Sequence, residues 1–459
     1  MSARLLAVAL ALALFPAAAR ATPLSLVEVL EAIDRHPHVA AADASVDRAR
    51  GQELAAKGAF DVRVRAGGEL YPLGYYERSL LDVEVRAPLR YSGITPFAGW
   101  RRGRGDFAAY DLKARTEEQG ELRAGIDVPL LRDRSIDRAR ADLGKAEIAD
   151  DVARAELAQR RLELQLQGTV AYWRWVAAGH RLRVRERQLQ LAVDRASGLR
   201  RTIDQGTTAP IEATDNARVI AGREALVVAA RRDLLRTARE LSLYMRDPGG
   251  APLTPTIERL PPLPAAGGQS PSTTTALRRL PILDALALRL ETNAIDLDLA
   301  ENQLLPTLSA RAFAARGLGP ADPLIPDRAE TSLGLGLLFE VPVQRRQAQG
   351  ALAIARAEAS RLRAEQRAIT DRINADLDVT AAELAAAHER TALVTTQAEL
   401  AEDLADAERR KFENGTSTIL IVNLREEAAA DAAATRIDAI AEYMEARARH
   451  AVARGTPPF

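Results

Sequence analysis

The stretch IDVPLLRDRSIDRARADLGKAEIADDVARAELAQRRLELQL at 126–166 joins the end of a short alternating segment to a very long helical one. The stretch FEVPVQRRQAQGALAIARAEASRLRAEQRAITDRINADL at 339–377 has the same design. In each, the residues after the Pro are rich in Ala, Arg, Glu and Leu, as in long helices that pack against one another. One design occurring twice predicts a duplicated structural unit.

The two long segments have nearly the same length. Gly206 follows Pro129 by 77 residues, and Gly415 follows Pro342 by 73. A glycine at the end of a long helical segment is the usual residue where a helix stops and the chain reverses. We therefore expect both segments to end in a turn.

We predict helices from about Ile136 to Asp204 and from about Gln347 to Glu413, each ~100 Å long at 1.5 Å per residue. Such helices are stable only when an apolar stripe packs along neighbours throughout, and Leu157, Leu164 and Leu377 lie on such stripes. The pattern indicates a coiled-coil-like helical barrel.

Shorter helices are predicted to run back along the long ones. Helices at 210–245 and 275–303, placed end to end, match one long helix, and 417–455 joined to 25–57 matches the other. The chain then divides into a signal peptide at 1–21, a first repeat at 22–246, a Pro/Gly-rich equatorial segment at 247–275 and a second repeat at 276–459.

The first residues have the pattern of an export signal. Arg4 precedes an apolar run from Leu5 to Phe15, and small residues lead to Ala21, so we expect the mature chain to begin near Thr22. That run is too short to span a bilayer, and no later segment is continuously apolar for the ~20 residues that a spanning helix needs. A helical membrane protein is excluded on this pattern. The chain has no Cys, which excludes an acylated-cysteine anchor and disulfides.

Several functional classes are disfavoured by composition. The 63 basic and 63 acidic residues are dispersed, so the basic stripe of a nucleic-acid binder is not expected. His36 and His38 are the best metal pair but have no third ligand nearby in the sequence. No set of nucleophile, base and orienting residue is apparent, and we expect neither an enzyme nor a bound cofactor.

Strict alternation of apolar and polar residues predicts strands. The runs lie at 120–128, 332–341, 62–70 and 308–312. Two interpretations compete, a soluble sandwich with its apolar face inward and a membrane barrel with that face toward lipid and charges in a wet lumen. Four strands are too few for a closed barrel, so about three chains would have to share one.

A further alternating run at 81–87 has no counterpart in the second half. It is either an extra hairpin or part of an enlarged outer loop. The fold class is therefore mostly α with a small β part, in which four or more strands per chain contribute to a shared trimeric transmembrane barrel.

Several segments resemble TolC-like outer-membrane efflux proteins. LSLVEVLEAIDRHPHVAAADASVDRARGQELAAKGAF at 24–60 is similar to the family's opening helix, and LPILDALALRLETNAIDLDLAENQLLPTLSA at 280–310 is similar to its duplicate, including the junction LLPTLS. VAYWRWVAA at 170–178 resembles the aromatic patch of the long helix, and RRKFENGTST at 409–418 resembles the helical turn at the tip. The resemblance covers nearly the whole mature chain.

This resemblance implies a homotrimer with a twelve-stranded barrel in the outer membrane and a large periplasmic helical barrel that tapers to a closed tip. A periplasmic adaptor and an inner-membrane pump would engage the tip. The function implied is a passive exit duct of a tripartite efflux pump or type I secretion system. A periplasmic coiled-coil scaffold or adaptor is the alternative, although adaptors carry the helical hairpin once and this chain carries it twice.

The two turns supply the first set of candidate site residues. Gly206 and Gly415 suit a chain reversal, and Thr207 and Thr416, which follow them, can cap the next helix. The resemblance adds adaptor contact at these four residues. Purely structural roles are also compatible with the sequence.

Four carboxylates near the turns form the second set. Asp204, Glu212, Asp215 and Glu413 would, repeated by symmetry, favour cations at a narrow aperture. The alternative is a solvated helix surface. Aromatic residues of the long helix, Tyr172, Trp173 and Trp175, are expected to serve packing rather than ligand stacking.

Overall fold

The computed structural model describes residues 22–206, 209–265, 280–320, 323 and 331–459. The expected signal peptide at 1–21 lies outside these residues. About 64% of the described residues are helical, including three short 3-10 helices, and the named strands form one small antiparallel sheet. This confirms the predicted fold class of long helices with a small β part.

The helices agree with the sequence prediction at most boundaries. The two long helices, α3 and α6, contain 67 and 68 residues. The helices are α1 Leu26–Ile33, α2 Pro37–Lys57, α3 Arg138–Asp204, α4 Ile211–Ser242, α5 Pro281–Asn302, α6 Arg346–Glu413 and α7 Ile419–Ala453. No helix among the described residues is both long enough and apolar enough to cross a membrane.

The single helix predicted over 25–57 is wrong, because α1 ends at Ile33 and α2 begins at Pro37. The imidazole Nδ1 of His36 accepts a hydrogen bond from the backbone N–H of His38 at 3.1 Å. His36 thus acts as an N-cap, and Pro37 occupies the first helical position, where its missing N–H costs nothing. The break is a new helix start, not a kink.

The sheet contains six strands in the order β1 to β6, each antiparallel to its neighbours. The strands are β1 Arg63–Tyr71, β2 Arg78–Arg86, β3 Thr95–Gly105, β4 Glu121–Pro129, β5 Thr307–Gly317 and β6 Thr331–Glu340. The extra alternating run is therefore a strand of a complete hairpin, β2–β3. The sheet has two strands more than the four per chain that twelve strands from three copies would require.

Contacts divide the chain into two compact units, and each draws on both halves of the sequence. The helical unit combines the chain up to Ala41 with 158–280 and 372–459. The strand unit combines 42–157 with 281–371.

The core of the helical unit forms around the aromatic patch of α3. Trp175 is fully buried, and Tyr172 and Trp173 are nearly so. The hydroxyl of Tyr172 donates to the carbonyl of Leu24 at 2.9 Å, and burial raises the pKa of Tyr172 to about 12. These rings pack with Leu241 and Met245, which confirms the packing role expected for them.

The described part of the equatorial segment, up to 265, packs on the same core. Leu260 is buried against Gly179 of α3, and the backbone N–H of Leu24 donates to the carbonyl of Arg259 at 2.8 Å. The Nε2 of His180 lies 2.9 Å from the carbonyl oxygen of Pro261. Because burial lowers the pKa of His180, the neutral ring donates its N–H to this carbonyl.

Candidate functional site

One face of the sheet is apolar except for Arg102 and Arg104 of β3 and Arg316 of β5, and this face is exposed. Alternate residues of every strand point to it, and strand pairing aligns them in rows. Leu333, Leu335 and Leu337 of β6 are 86%, 77% and 70% exposed, and Val64 of β1 is 70% exposed. A soluble sandwich would cover such a face, whereas no described side chain covers these four.

The opposite face carries the charges. Asp127 of β4 accepts from Arg311 of β5 at 2.8 Å and from Arg86 of β2 at 3.4 Å. Glu121 accepts from Arg101 at 3.1 Å. Positive and negative side chains are paired across strands, so this face suits contact with water rather than with lipid.

On the charged face an aromatic ring packs between two cationic side chains. Phe97 on the charged face is only 9% exposed and lies between the guanidinium groups of Arg86 and Arg311, 5.6 and 5.4 Å from its ring centre. The ring of Phe97 is thus covered by charged side chains of this face.

In the helical unit, α6 ends in a turn built around Gly415. Its φ is +74°, a conformation that side chains other than glycine rarely adopt. The N–H of Gly415 donates to the carbonyl of Phe412 at 3.0 Å, and the N–H of Thr416 donates to that of Lys411 at 2.9 Å. These two bonds define a Schellman motif, which satisfies carbonyls at the helix end.

Gly206 ends α3 in the same way, with φ of +74° and its N–H donating to the carbonyl of Ile203 at 2.9 Å. Thr207 lies outside the described residues. For Thr416 the predicted cap on the next helix is wrong, because its hydroxyl donates back to the carbonyl of Lys411 at 3.0 Å. Thr416 closes α6, and Thr418 stands at the start of α7.

The four candidate carboxylates lie where the sequence placed them, at the ends of helices beside the turns. Asp204 and Glu413 are exposed, and Glu212 and Asp215 are half-buried in the first turns of α4. Asp215 accepts from Arg218 at 3.0 Å. Asp204 and Glu413 lie at the solvated surface of the single chain.

The helical unit contains a buried charge cluster that was not predicted from the sequence. Glu426 of α7 has a side chain that is 2% exposed, and its two oxygens bind the guanidinium groups of Arg195 from α3 and Arg223 from α4, the latter at 3.0 Å. Arg195 also donates to Asn423 at 2.6 Å. Arg409 of α6 lies 3.9 Å away. One carboxylate thus connects four helices.

A signal for this cluster was present in the sequence. Glu426 falls on the helical stripe that contains Ile419, Val422, Ala429 and Ala430, all of them buried. A glutamate on the apolar stripe of a helix must find a partner, because burying it unpaired is costly. The partners come from distant segments and could not be named.

His36 and His38 do not come together as a metal site. The Nδ1 of His36 is already used to accept from the backbone, and burial lowers its pKa. Among the described ranges no group of three or more His, Asp or Glu side chains is arranged to hold a metal ion.

Comparison with known proteins identifies the fold. No family model matches the sequence, and no curated protein matches it. Solved structures do match. The outer-membrane channel OprN is 17% identical with a TM-score of 0.63, covering 94% of this chain and 89% of its own.

Two further structures agree. The Campylobacter jejuni CmeC outer membrane channel is 10% identical with a TM-score of 0.64, over 94% of this chain and 85% of its own. The outer membrane protein VceC from Vibrio cholerae is 16% identical with a TM-score of 0.61, over 95% and 97%. The chain therefore has the TolC-like outer-membrane channel fold, as the sequence resemblance implied.

Proposed function

We propose that this protein is a subunit of a passive exit duct in the outer membrane, with its helices in the periplasm, and that it is not an enzyme. The observation that carries the proposal is the sheet, which has a bare apolar face on one side and paired charges on the other. Lipid accepts the first face and a water-filled lumen accepts the second. The fold shared with solved outer-membrane channels supports the same assignment.

Three copies form the duct in this proposal. Since lipid tolerates no open sheet edge, the strands of one chain must pair with those of the next. The partners are a periplasmic adaptor and an inner-membrane pump, of a tripartite efflux system or a type I secretion system. We assign adaptor contact to the turns at Gly206, Thr207, Gly415 and Thr416, and the aperture to Asp204, Glu212, Asp215 and Glu413.

Membrane fractionation and single-channel recording test this function. The full chain should remain in the outer-membrane fraction until detergent is added, and should conduct ions when placed in a planar bilayer. Recovery in the periplasmic wash without conductance would instead identify a soluble scaffold.

The aperture is tested by Asp215→Asn combined with Glu413→Gln. We expect reduced cation preference, because a symmetric ring of carboxylates raises the local cation concentration. Glu389→Gln combined with Glu399→Gln is the matched control, since both residues are exposed on α6 away from the turn. Unchanged cation preference in the first pair would place the aperture elsewhere.

A further inference from the structure

The β2–β3 hairpin is an integral part of the sheet. Pairing is continuous from β1 through β2 and β3 to β4, with nine, nine and seven residue pairs. One row of paired residues crosses all six strands on the apolar face, and it consists of Val64, Val85, Ala98, Ala124, Ala314 and Leu333. An outer loop folded over a four-stranded sheet would not continue this row.

The charged face leads to the same conclusion. Arg86 of β2 reaches across β3 to Asp127 of β4, which also binds Arg311 of β5. Phe97 of β3 lies under both guanidinium groups. The hairpin therefore supplies central members of a network that joins the two halves of the chain.

The two edge strands of the sheet are suited to pair with the edge strands of neighbouring copies. β1 and β6 are its edge strands, and nearly every residue in them is exposed. Since six strands alternate in direction, β6 of one copy runs antiparallel to β1 of the next. Copies can thus join edge to edge without a change in the pairing pattern.

The strand offset has the value that a closed barrel requires. The paired row that starts at Arg63, the first residue of β1, reaches Gly334, which lies six residues before the end of β6 at Glu340. At a rise of about 3.3 Å per residue, six residues correspond to an offset of roughly 20 Å along the strand direction. The five spacings of about 4.8 Å between β1 and β6 add up to roughly 24 Å across the sheet. Strands whose ends form a level rim are then tilted by about 40°, within the range for barrels.

We propose that three copies of this chain close a barrel of eighteen strands, six from each copy, joined between β6 and β1. The number of copies rests on the function proposed above, and the number of strands rests on the sheet. Because barrel diameter grows roughly in proportion to strand number, this barrel is about 1.5 times as wide as one of twelve strands. The exit through the membrane is then wider than twelve strands could form.

The junction can be tested by disulfide formation, because the chain has no Cys of its own. A register that keeps apolar residues on one face, with the strand ends level, sets Leu337 of β6 opposite Ala66 or Gly68 of β1. Leu337→Cys combined with Ala66→Cys or with Gly68→Cys should give covalent trimers on oxidation in at least one case. Leu337→Cys combined with Gly67→Cys is the control, because Gly67 points to the other face and its thiol cannot reach.

The barrel width is measured independently by electron microscopy of detergent-solubilised particles seen end-on. The reference is a chain without residues 78–105, which removes β2 and β3 and leaves β1 and β4 antiparallel with four strands per copy. We expect the barrel of the full chain to be about 1.5 times as wide as that of the shortened chain. If the shortened chain does not assemble, the eighteen-stranded barrel is tested by the covalent trimer and by the width of the full-length particle.

The outcomes separate this inference from the proposed function. Covalent dimers that close without a third copy, or a conducting trimer that no edge pair cross-links, would overturn the eighteen-stranded barrel while leaving a channel. A chain that neither conducts nor stays in the outer membrane would overturn the function itself. Covalent trimers together with the wide particle support both.

Discussion

The two halves of the chain differ in their strands but not in their long helices. Four strands separate α2 from α3, whereas two separate α5 from α6. In contrast, α3 and α6 have 67 and 68 residues. Long helices that pack side by side must match in length, since an overhanging turn would leave its apolar stripe bare. The two ends of a hairpin lie at the same end of the neighbouring strands. A pair of strands can therefore be added to the sheet without moving any helix.

The largest expected effect comes from Glu426→Gln, which tests whether the halves are held together by charge. Glu426 belongs to the second half, and its partners Arg195 and Arg223 belong to the first. The neutral side chain leaves two buried guanidinium groups without their carboxylate, which should destabilise the helical unit by about 3 kcal/mol. Circular dichroism during chemical unfolding measures the change.

The control for this substitution is Glu427→Gln, because Glu427 is exposed on the next position of the same helix. It should unfold like the parent chain. Equal stability of both variants would show that the buried cluster contributes little and that packing alone joins the halves.

The second prediction compares a strand of the extra hairpin, β2, with a strand of the second half, β6. Val83→Arg in β2 and Leu335→Arg in β6 each place a charge on the apolar face, at an expected cost of about 2–4 kcal/mol near the middle of a bilayer. We expect both variants to give less detergent-stable trimer in the outer membrane, measured by gel shift. Asp82→Asn and Gly336→Ser, their neighbours on the charged face, should assemble normally.

A different result would be informative. If Leu335→Arg abolished assembly while Val83→Arg did not, β2 would lie outside the lipid and the halves would contribute equally to the barrel wall.

The smallest effect concerns the helix starts at corresponding prolines. His36 precedes Pro37 and caps α2, whereas Leu280 precedes Pro281 and has no side-chain acceptor. His36→Leu copies the second half, and loss of the cap should cost about 1 kcal/mol near pH 7.5. Thermal unfolding followed by circular dichroism measures the loss.

The stabilisation that His36 provides should depend on pH. Burial, with Arg246 and His38 nearby, lowers the pKa of His36 in the folded chain. The unfolded chain therefore binds the proton more readily, and the stability due to His36 is present above about pH 6.5 and lost as pH falls. The difference in stability between the parent and His36→Leu should therefore shrink toward pH 5.

The long helices and most strands could be predicted because their signals are periodic and local. The ends of α3 and α6 are marked by Gly206 and Gly415, whose φ of +74° explains the residue type. The hairpin was ambiguous because its second strand breaks the alternation. In β3, Arg102 and Arg104 share a face with Ala98 and Trp100.

The remaining features depend on contacts between distant segments. Glu426 finds Arg195 and Arg223 only after four helices have assembled. The capping role of His36 requires its side chain to turn back on the backbone, which a sequence pattern does not reveal. Which strands of neighbouring copies meet is likewise a property of the assembled sheet.

The hydrogen bond from Tyr172 to the carbonyl of Leu24 determines where the chain can be labelled. Leu24 is fully buried, so a fluorophore or affinity handle attached at Thr22 would have only one free residue before the packed core. The turn between β1 and β2 is the better attachment point, since Leu73 and Tyr75 there are 87% and 89% exposed. A label placed in that turn would leave the hydrogen bond between Tyr172 and Leu24 undisturbed.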